Sequence, residues 1–177
     1  MPRILTLGHS NHTLEEFLEI LRAHGLARVL DVRRYPASRK WPHFGAAPLA
    51  KSLSAAGIEY VGLPELGGGR RPRPDSPHTA WREAAFRGYA DFMDTPEFAA
   101  GLAKVEDLAR EKTSAVMCAE AVPWRCHRSL IADALVARGS EVADVISATS
   151  ARPHALPAFA RVEGTRVIYD VGELPLS

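Results

Sequence analysis

The sequence predicts a three-layer α/β/α domain around a mostly parallel sheet of about five strands, with room for an antiparallel edge strand. Three observations predict it. Short apolar runs alternate with amphipathic stretches of helical period along the chain. The first two runs, Arg3-Ile-Leu-Thr-Leu7 and Arg28-Val-Leu-Asp-Val32, flank one such stretch, which makes a βαβ unit with parallel strands and a right-handed crossover. Helix starts and stops carry their own marks, with capping residues before and glycine after.

The first helix opens on the capping box Thr13-Leu-Glu-Glu16, where the Thr13 hydroxyl and the Glu16 carboxylate satisfy orphan amides. Leu14, Phe17, Leu18 and Leu21 share its apolar face, and Gly25 supplies a left-handed stop. After the second strand, Arg33 to Gly45 is basic, aromatic and broken by Pro36 and Pro42. A short helix follows, with Pro48 in its first turn and Gly57 after its end, leading to the third strand, Ile58–Val61. The glycine, arginine and proline stretch over about residues 66–79 reads as a mobile loop. Trp81 to Met93 is helical, and Thr95-Pro96-Glu97 opens another helix with Phe98, Leu102 and Val105 along its buried stripe. Ala115–Cys118 is the fourth strand, Cys126–Arg138 a helix closed by Gly139, and Val142–Ile146 the fifth strand. The remainder, about 150–177, reads as irregular apart from Arg166–Tyr169, the expected edge strand. One domain accommodates all 177 residues.

A 46% hydrophobic and 24% charged chain has the composition of a soluble globular protein. The formal net charge of +1 creates no global field, so any basic surface must be local. No apolar run approaches a membrane span, and Met1-Pro-Arg3 leads into a strand rather than a signal peptide, so no membrane partner is expected. Two cysteines are too few for a disulfide scaffold, which points to a reduced, cytoplasmic setting.

Parallel sheets bind ligands outside the carboxyl ends of their strands. Gly8, His9, Ser10 and Asn11 follow the first strand; Asp31 and Arg33 close the second. The third leads through Glu65 into the glycine loop and Arg70, and the fourth ends at Cys118 and Glu120. Loops are polar in any case. Asp31, however, interrupts an apolar strand and needs a buried partner, for which Arg33 and Arg128 are the natural choices.

Thr6-Leu-Gly-His-Ser10-Asn, Asp31-Val-Arg33, Pro36 and Ser38-Arg39 resemble the opening blocks of domain-of-unknown-function family 488. Leu66-Gly-Gly68-Gly-Arg70, the Gly88-Tyr89 pair, and Cys118-Ala-Glu120 with Cys126-His-Arg128 resemble its later blocks. The resemblance runs from the first strand to about Ile146, and the Cys-x-Glu and Cys-His-Arg pair is its most specific part. It implies an α/β fold and a shared polar site, and supplies no reaction, so roles must come from chemistry.

Cys126, at a helix start between Arg125 and Arg128, is where unpaired amides and two cations favour a thiolate; its bland reading is a small buried hydrophobe. Glu120 reads as a general base or as the partner of Arg33 or Arg128, with His9 and Asp31 as further acid–base groups. Arg33 and Arg128 would hold an anion beside Gly8 and Ser10, with Arg39, Arg70 and Tyr89 extending that surface. A purely structural lattice of Asp31, Glu120 and these arginines is the competing account. His127 is expected to diverge from Cys126 around the helix, while His12, His24, His43, His78 and His154 read as surface residues. Trp41, Phe44, Trp81 and Trp124, near Arg39, Lys40 and Arg125, could stack on bases or belong to the core.

Two familiar motifs are missed. A cysteine-phosphatase loop needs arginine where Trp124 stands, one place before Arg125. A zinc deaminase needs a second cysteine in the Pro123-Trp-Arg-Cys126 run and more chain before it. The leading expectation is therefore an enzyme acting on a phosphate-bearing substrate, a nucleotide or nucleic-acid end. Alternatives are a zinc- or iron-binding protein using Cys118, Glu120, Cys126 and His127, with a divalent metal as cofactor, and a non-catalytic nucleic-acid module built on Arg33 to Phe44.

Overall fold

The computed structural model describes residues 2–120 and 126–171. In chain order its main elements are β1 (Arg3–Gly8), α1 (Leu14–Ala23), β2 (Arg28–Asp31), α2 (Ala46–Ala55), β3 (Glu59–Gly62), α3 (Ala84–Phe92), α4 (Pro96–Glu111), β4 (Ser114–Cys118), α5 (Arg128–Ala137), β5 (Glu141–Ser147) and β6 (Ser150–Pro153). The six strands form one sheet in the order β3-β2-β4-β1-β5-β6. The first five run parallel, and β6 returns antiparallel along β5. This is the three-layer architecture read from the sequence.

Alternation along the strands decides which helices cover which face. Leu5, Leu7, Val29, Ala115 and Met117 point to the layer where α1 and α2 bring Phe17, Leu21, Leu49 and Leu53. Ile4, Leu30, Val116 and Cys118 point to the opposite layer, filled by Phe98, Leu102 and Val105 of α4 and Leu130 and Ile131 of α5. Both predicted caps form: the hydroxyls of Thr13 and Thr95 accept from the backbone amides of Glu16 and Phe98.

The edge strand is not the one expected. Arg166–Ile168 forms β8, which pairs only with β7 (Arg161–Glu163) in a separate hairpin. Gly164, at φ 67°, allows that reversal, and Val167 and Tyr169 then pack into the α5-side core rather than extending the sheet. The sheet edge is taken by β6, which returns from β5 with Ser147 opposite Ser150.

Two histidines read as surface residues are buried connectors. His78 lies at 0% exposure with Nε2 2.9 Å from Asp94 Oδ2, while its Nδ1 accepts from the Tyr169 amide. The loop containing it is tied to α3, because Asp91 accepts from the Arg73 amide and from the Ser76 hydroxyl. His154 bridges Asp144 (2.7 Å) and Asp133 (2.6 Å), joining β5, β6 and α5, and Thr6 and Tyr169 donate to the far sides of the two carboxylates. Burial alone would lower the His154 pKa, but hydrogen bonds to Asp133 and then Asp144 push it up to about 9. A raised folded-state pKa stabilises the fold fully below the ordinary histidine value of about 6.5, and that contribution is lost as pH rises through about 9. Urea midpoints should therefore fall between about pH 7 and 9, and a His154→Gln variant should lose that slope.

Candidate functional site

Strand order creates the site. Because β4 lies between β2 and β1, the exits of these three strands are neighbours at the carboxyl edge. The ladder continues past the strands: the amides of His9, Ser10 and Val32 donate to the carbonyls of Cys118 (3.0 Å), Ala119 (2.9 Å) and Met117 (3.0 Å). Ser10 takes a left-handed φ of 49°, which turns the chain away from β4. Gly8 is obligatory here, since a Cβ on it would stand 1.5 Å from the Glu120 carbonyl oxygen. Above these exits opens a cleft of about 910 Å³, walled by the segment from Arg34 to Trp41 and by Gly68 and Gly69.

One side of the cleft is a locked arginine. Asp31, 1% exposed, takes Arg33 Nε on Oδ1 (2.9 Å) and Nη2 on Oδ2 (2.8 Å) and also accepts from the Arg33 amide (3.1 Å). Tyr60 donates its hydroxyl to the same carboxylate at 2.6 Å. Burial first, then the Asp31 carboxylate, raises the Tyr60 pKa well above its ordinary value and keeps it a donor. Arg33 Nη1 is left beside His9 Nε2 at 3.4 Å. His9 Nδ1 donates to the Ser10 carbonyl and its ring stacks on Phe44 at 4.3 Å, so Nε2 is the acceptor facing the guanidinium. Burial lowers the His9 pKa, and Arg33 lowers it further against the pull of the Ser10 carbonyl. Histidine here is neutral and arginine is aimed.

The other side is a sulfur pair. Cys126 precedes α5 and Cys118 ends β4, and both line the cleft. Interaction with the Cys118 side chain, against the effect of burial, and then with His127 brings the Cys126 pKa well below the ordinary thiol value. Cys118 moves the opposite way, raised well above the thiol range by burial and by the Cys126 charge. His127 Nε2 donates to the Val32 carbonyl at 3.0 Å, which leaves Nδ1 3.5 Å from Cys126 Sγ. The expectation that these two side chains diverge is thus overturned: the turn before α5 places both on the cleft wall.

The remaining sequence candidates separate clearly. Glu120 is exposed at the rim, and among the described residues its carboxylate makes no ion pair or hydrogen bond; its backbone carbonyl accepts from Arg128 Nη1 at 3.2 Å. The pairing expected between the Glu120 side chain and Arg33 or Arg128 does not form: Asp31 takes Arg33 Nε and Nη2, and Arg128 meets the Glu120 carbonyl instead. Arg128, at 0% exposure, braces the β4 exit from below the cleft and does not line it. Asp31 orients Arg33 and has no free face for acid–base work. Arg70 is spent on the Gly67 and Glu65 carbonyls and on the Phe92 ring at 3.8 Å, and Tyr89 is buried with its hydroxyl on the Leu66 carbonyl. Both support the glycine loop from outside the cleft. Arg39 is exposed and does not line the cleft, whereas Arg34 and Lys40, not among the expected anion ligands, do. Arg34 could have been found from its place between Arg33 and Tyr35: its guanidinium bonds the Gly68 and Gly69 carbonyls and lies 5.6 Å from the Tyr35 ring. Phe44 and Trp81 belong to the core, while Trp41 lines the cleft. Pro123, Trp124 and Arg125 lie outside the described residues.

Among the described residues, the only three His, Cys, Asp or Glu ligand atoms within 4.8 Å of one another belong to His78, Asp91 and Asp94. No three of Cys118, Glu120, Cys126 and His127 meet that spacing, so the expected metal set is not assembled.

The model of the family described as domain of unknown function DUF488 matches residues 13–135. The chain belongs to this family. The matched span carries the Asp31–Arg33 clamp, the glycine loop and the Cys118, Cys126 and His127 cluster, and within this DUF488 member those parts meet in one cleft. β1 with Gly8, His9 and Ser10, and everything from β5 onward, lie outside the matched span, although β1 completes the site. No curated protein and no solved structure matches the chain.

Proposed function

We propose that this DUF488 protein is an enzyme that binds a phosphate-bearing substrate, a nucleotide or nucleic-acid end, in the cleft and attacks it with Cys126. The observation that carries the reading is that Cys126, with its Sγ 3.5 Å from His127 Nδ1, lines the same cleft as Arg33, Arg34 and Lys40. The cations offer charge-assisted hydrogen bonds to phosphate oxygens, and Arg33 is held ready by Asp31 and Tyr60. Cys126 supplies the nucleophile, and His127 Nδ1 takes up the proton that the thiol gives up and hands it to the departing group. Glu120 and neutral His9 are the groups placed to manage water and a second proton.

Iodoacetamide measures the thiolate directly. At about pH 6 an ordinary thiol is ionised to less than about 1%. Cys126 should be carboxamidomethylated at a rate that hardly changes between about pH 5.5 and 8, and saturating phosphate or nucleotide should slow it by about tenfold while raising the melting temperature. Alkylation that climbs tenfold per pH unit, or that ignores every phosphate compound tried, counts against the proposal.

A further inference from the structure

Cys118 is a second thiol for which the proposed chemistry has no use. It is 1% exposed at the end of β4, its thiol donates to the Glu120 carbonyl at 3.6 Å, and its sulfur interacts with that of Cys126. Both cysteines line the cleft, and Cys126, 8% exposed, is the less buried of the two. Two thiols on one cleft wall, one less sheltered than the other, have the layout of a thiol that is oxidised and then resolved.

We propose that Cys126 and Cys118 form a redox pair in which hydrogen peroxide, or a small organic hydroperoxide, oxidises Cys126 and Cys118 closes an intramolecular disulfide. In the first step the Cys126 sulfur bonds to one peroxide oxygen, the O–O bond breaks, and hydroxide leaves and takes a proton. Sulfur is oxidised to sulfenic acid and peroxide is reduced. In the second step the Cys118 sulfur gives up its proton and bonds to the Cys126 sulfur, and the sulfenic oxygen departs as water. Two thiols and one hydrogen peroxide yield one disulfide and two waters; with an organic hydroperoxide one of the waters is replaced by the alcohol.

The charges order these steps. Burial first, then the Cys126 side chain, opposes ionisation of Cys118, and the Arg128 guanidinium is the opposing cationic influence. Sulfenic acid formation removes the anion and leaves Arg128, so Cys118 becomes easier to ionise only once there is an electrophilic sulfur to attack. The inference shares the Cys126 sulfur with the proposed function and uses none of its phosphate chemistry; disulfide formation would switch the nucleophile off.

The experiment treats the full chain with one equivalent of hydrogen peroxide at about pH 7, then counts thiols and maps disulfides by mass spectrometry, with dimedone to trap sulfenic acid. The expected result is a Cys118–Cys126 disulfide within one chain, reversed by dithiothreitol, with a peroxide rate constant that changes less than about twofold between pH 5 and 8. In Cys118→Ser, and in Cys118→Ala should the first fold poorly, the dimedone adduct should accumulate on Cys126 instead. Three results overturn the proposal: both thiols stay reduced, Cys126 advances to sulfinic acid while Cys118 stays free, or the disulfide forms only between chains. Thermal stabilisation of the reduced protein by inorganic phosphate is read in the same samples. Its absence would fell the proposed function and leave the redox pair standing; its presence without a disulfide would do the reverse.

Discussion

Asp31→Ala should cost about 3–5 kcal/mol of folding stability, because it leaves a guanidinium of 8% exposure without its counter-charge. Asp31 holds Arg33 through Nε, Nη2 and the backbone amide, so the substitution removes all three hydrogen bonds and strands the Tyr60 hydroxyl as well. Tyr60→Phe removes a single donor and leaves the ion pair, so about 1 kcal/mol is expected. Urea titration of both variants separates the two cases by their midpoints. The same measurement reads the functional claim: if Arg33 is an anchor aimed by Asp31, Asp31→Ala should also abolish stabilisation by phosphate, whereas Tyr60→Phe should retain most of it. A cost below about 1 kcal/mol for Asp31→Ala would mean that Arg33 swings into solvent at no penalty, and the idea of a pre-aimed arginine would fail.

Gly8→Ala should be comparably damaging for a different reason. Its Cβ would meet the Glu120 carbonyl oxygen at 1.5 Å and its carbonyl carbon at 2.3 Å, both backbone atoms, with Arg128 Nη1 at 2.9 Å. Relief requires the exits of β1 and β4 to part, which breaks the amide bonds from His9 to Cys118 and from Ser10 to Ala119 and loosens the Arg128 brace. About 3 kcal/mol or more is expected, together with loss of the pH-independent alkylation of Cys126. Gly57→Ala is the control: its φ is 77° and nothing lies within 4 Å of the added atom, so only left-handed backbone strain of about 1–2 kcal/mol should appear. Equal losses in the two variants would show that the Gly8 contact carries no special weight.

What the sequence reached by itself is what local periodicity and local chemistry encode. Alternating runs and the Thr13 capping box are properties of neighbouring residues, so the layered fold and its helix boundaries were legible. Asp31 was legible as an anomaly, since a carboxylate within an apolar strand demands a partner, and Arg33 is close enough in the chain to be that partner. Tertiary structure decided the rest, because a side chain's opposite number depends on which strands become neighbours. Placing β4 between β2 and β1 brings Cys118 beside the exits carrying His9 and Arg33. The entry into α5 turns Cys126 and His127 onto one wall, against the divergence that helical geometry implied. Glu120 stands exposed at the cleft rim, and its carbonyl rather than its side chain completes the Arg128 brace. His154 looked like a surface residue and became a buried bridge for the same reason: Asp133 and Asp144 are 21 and 10 residues away along the chain, and only the packing of α5 on β5 sets both within hydrogen-bonding distance.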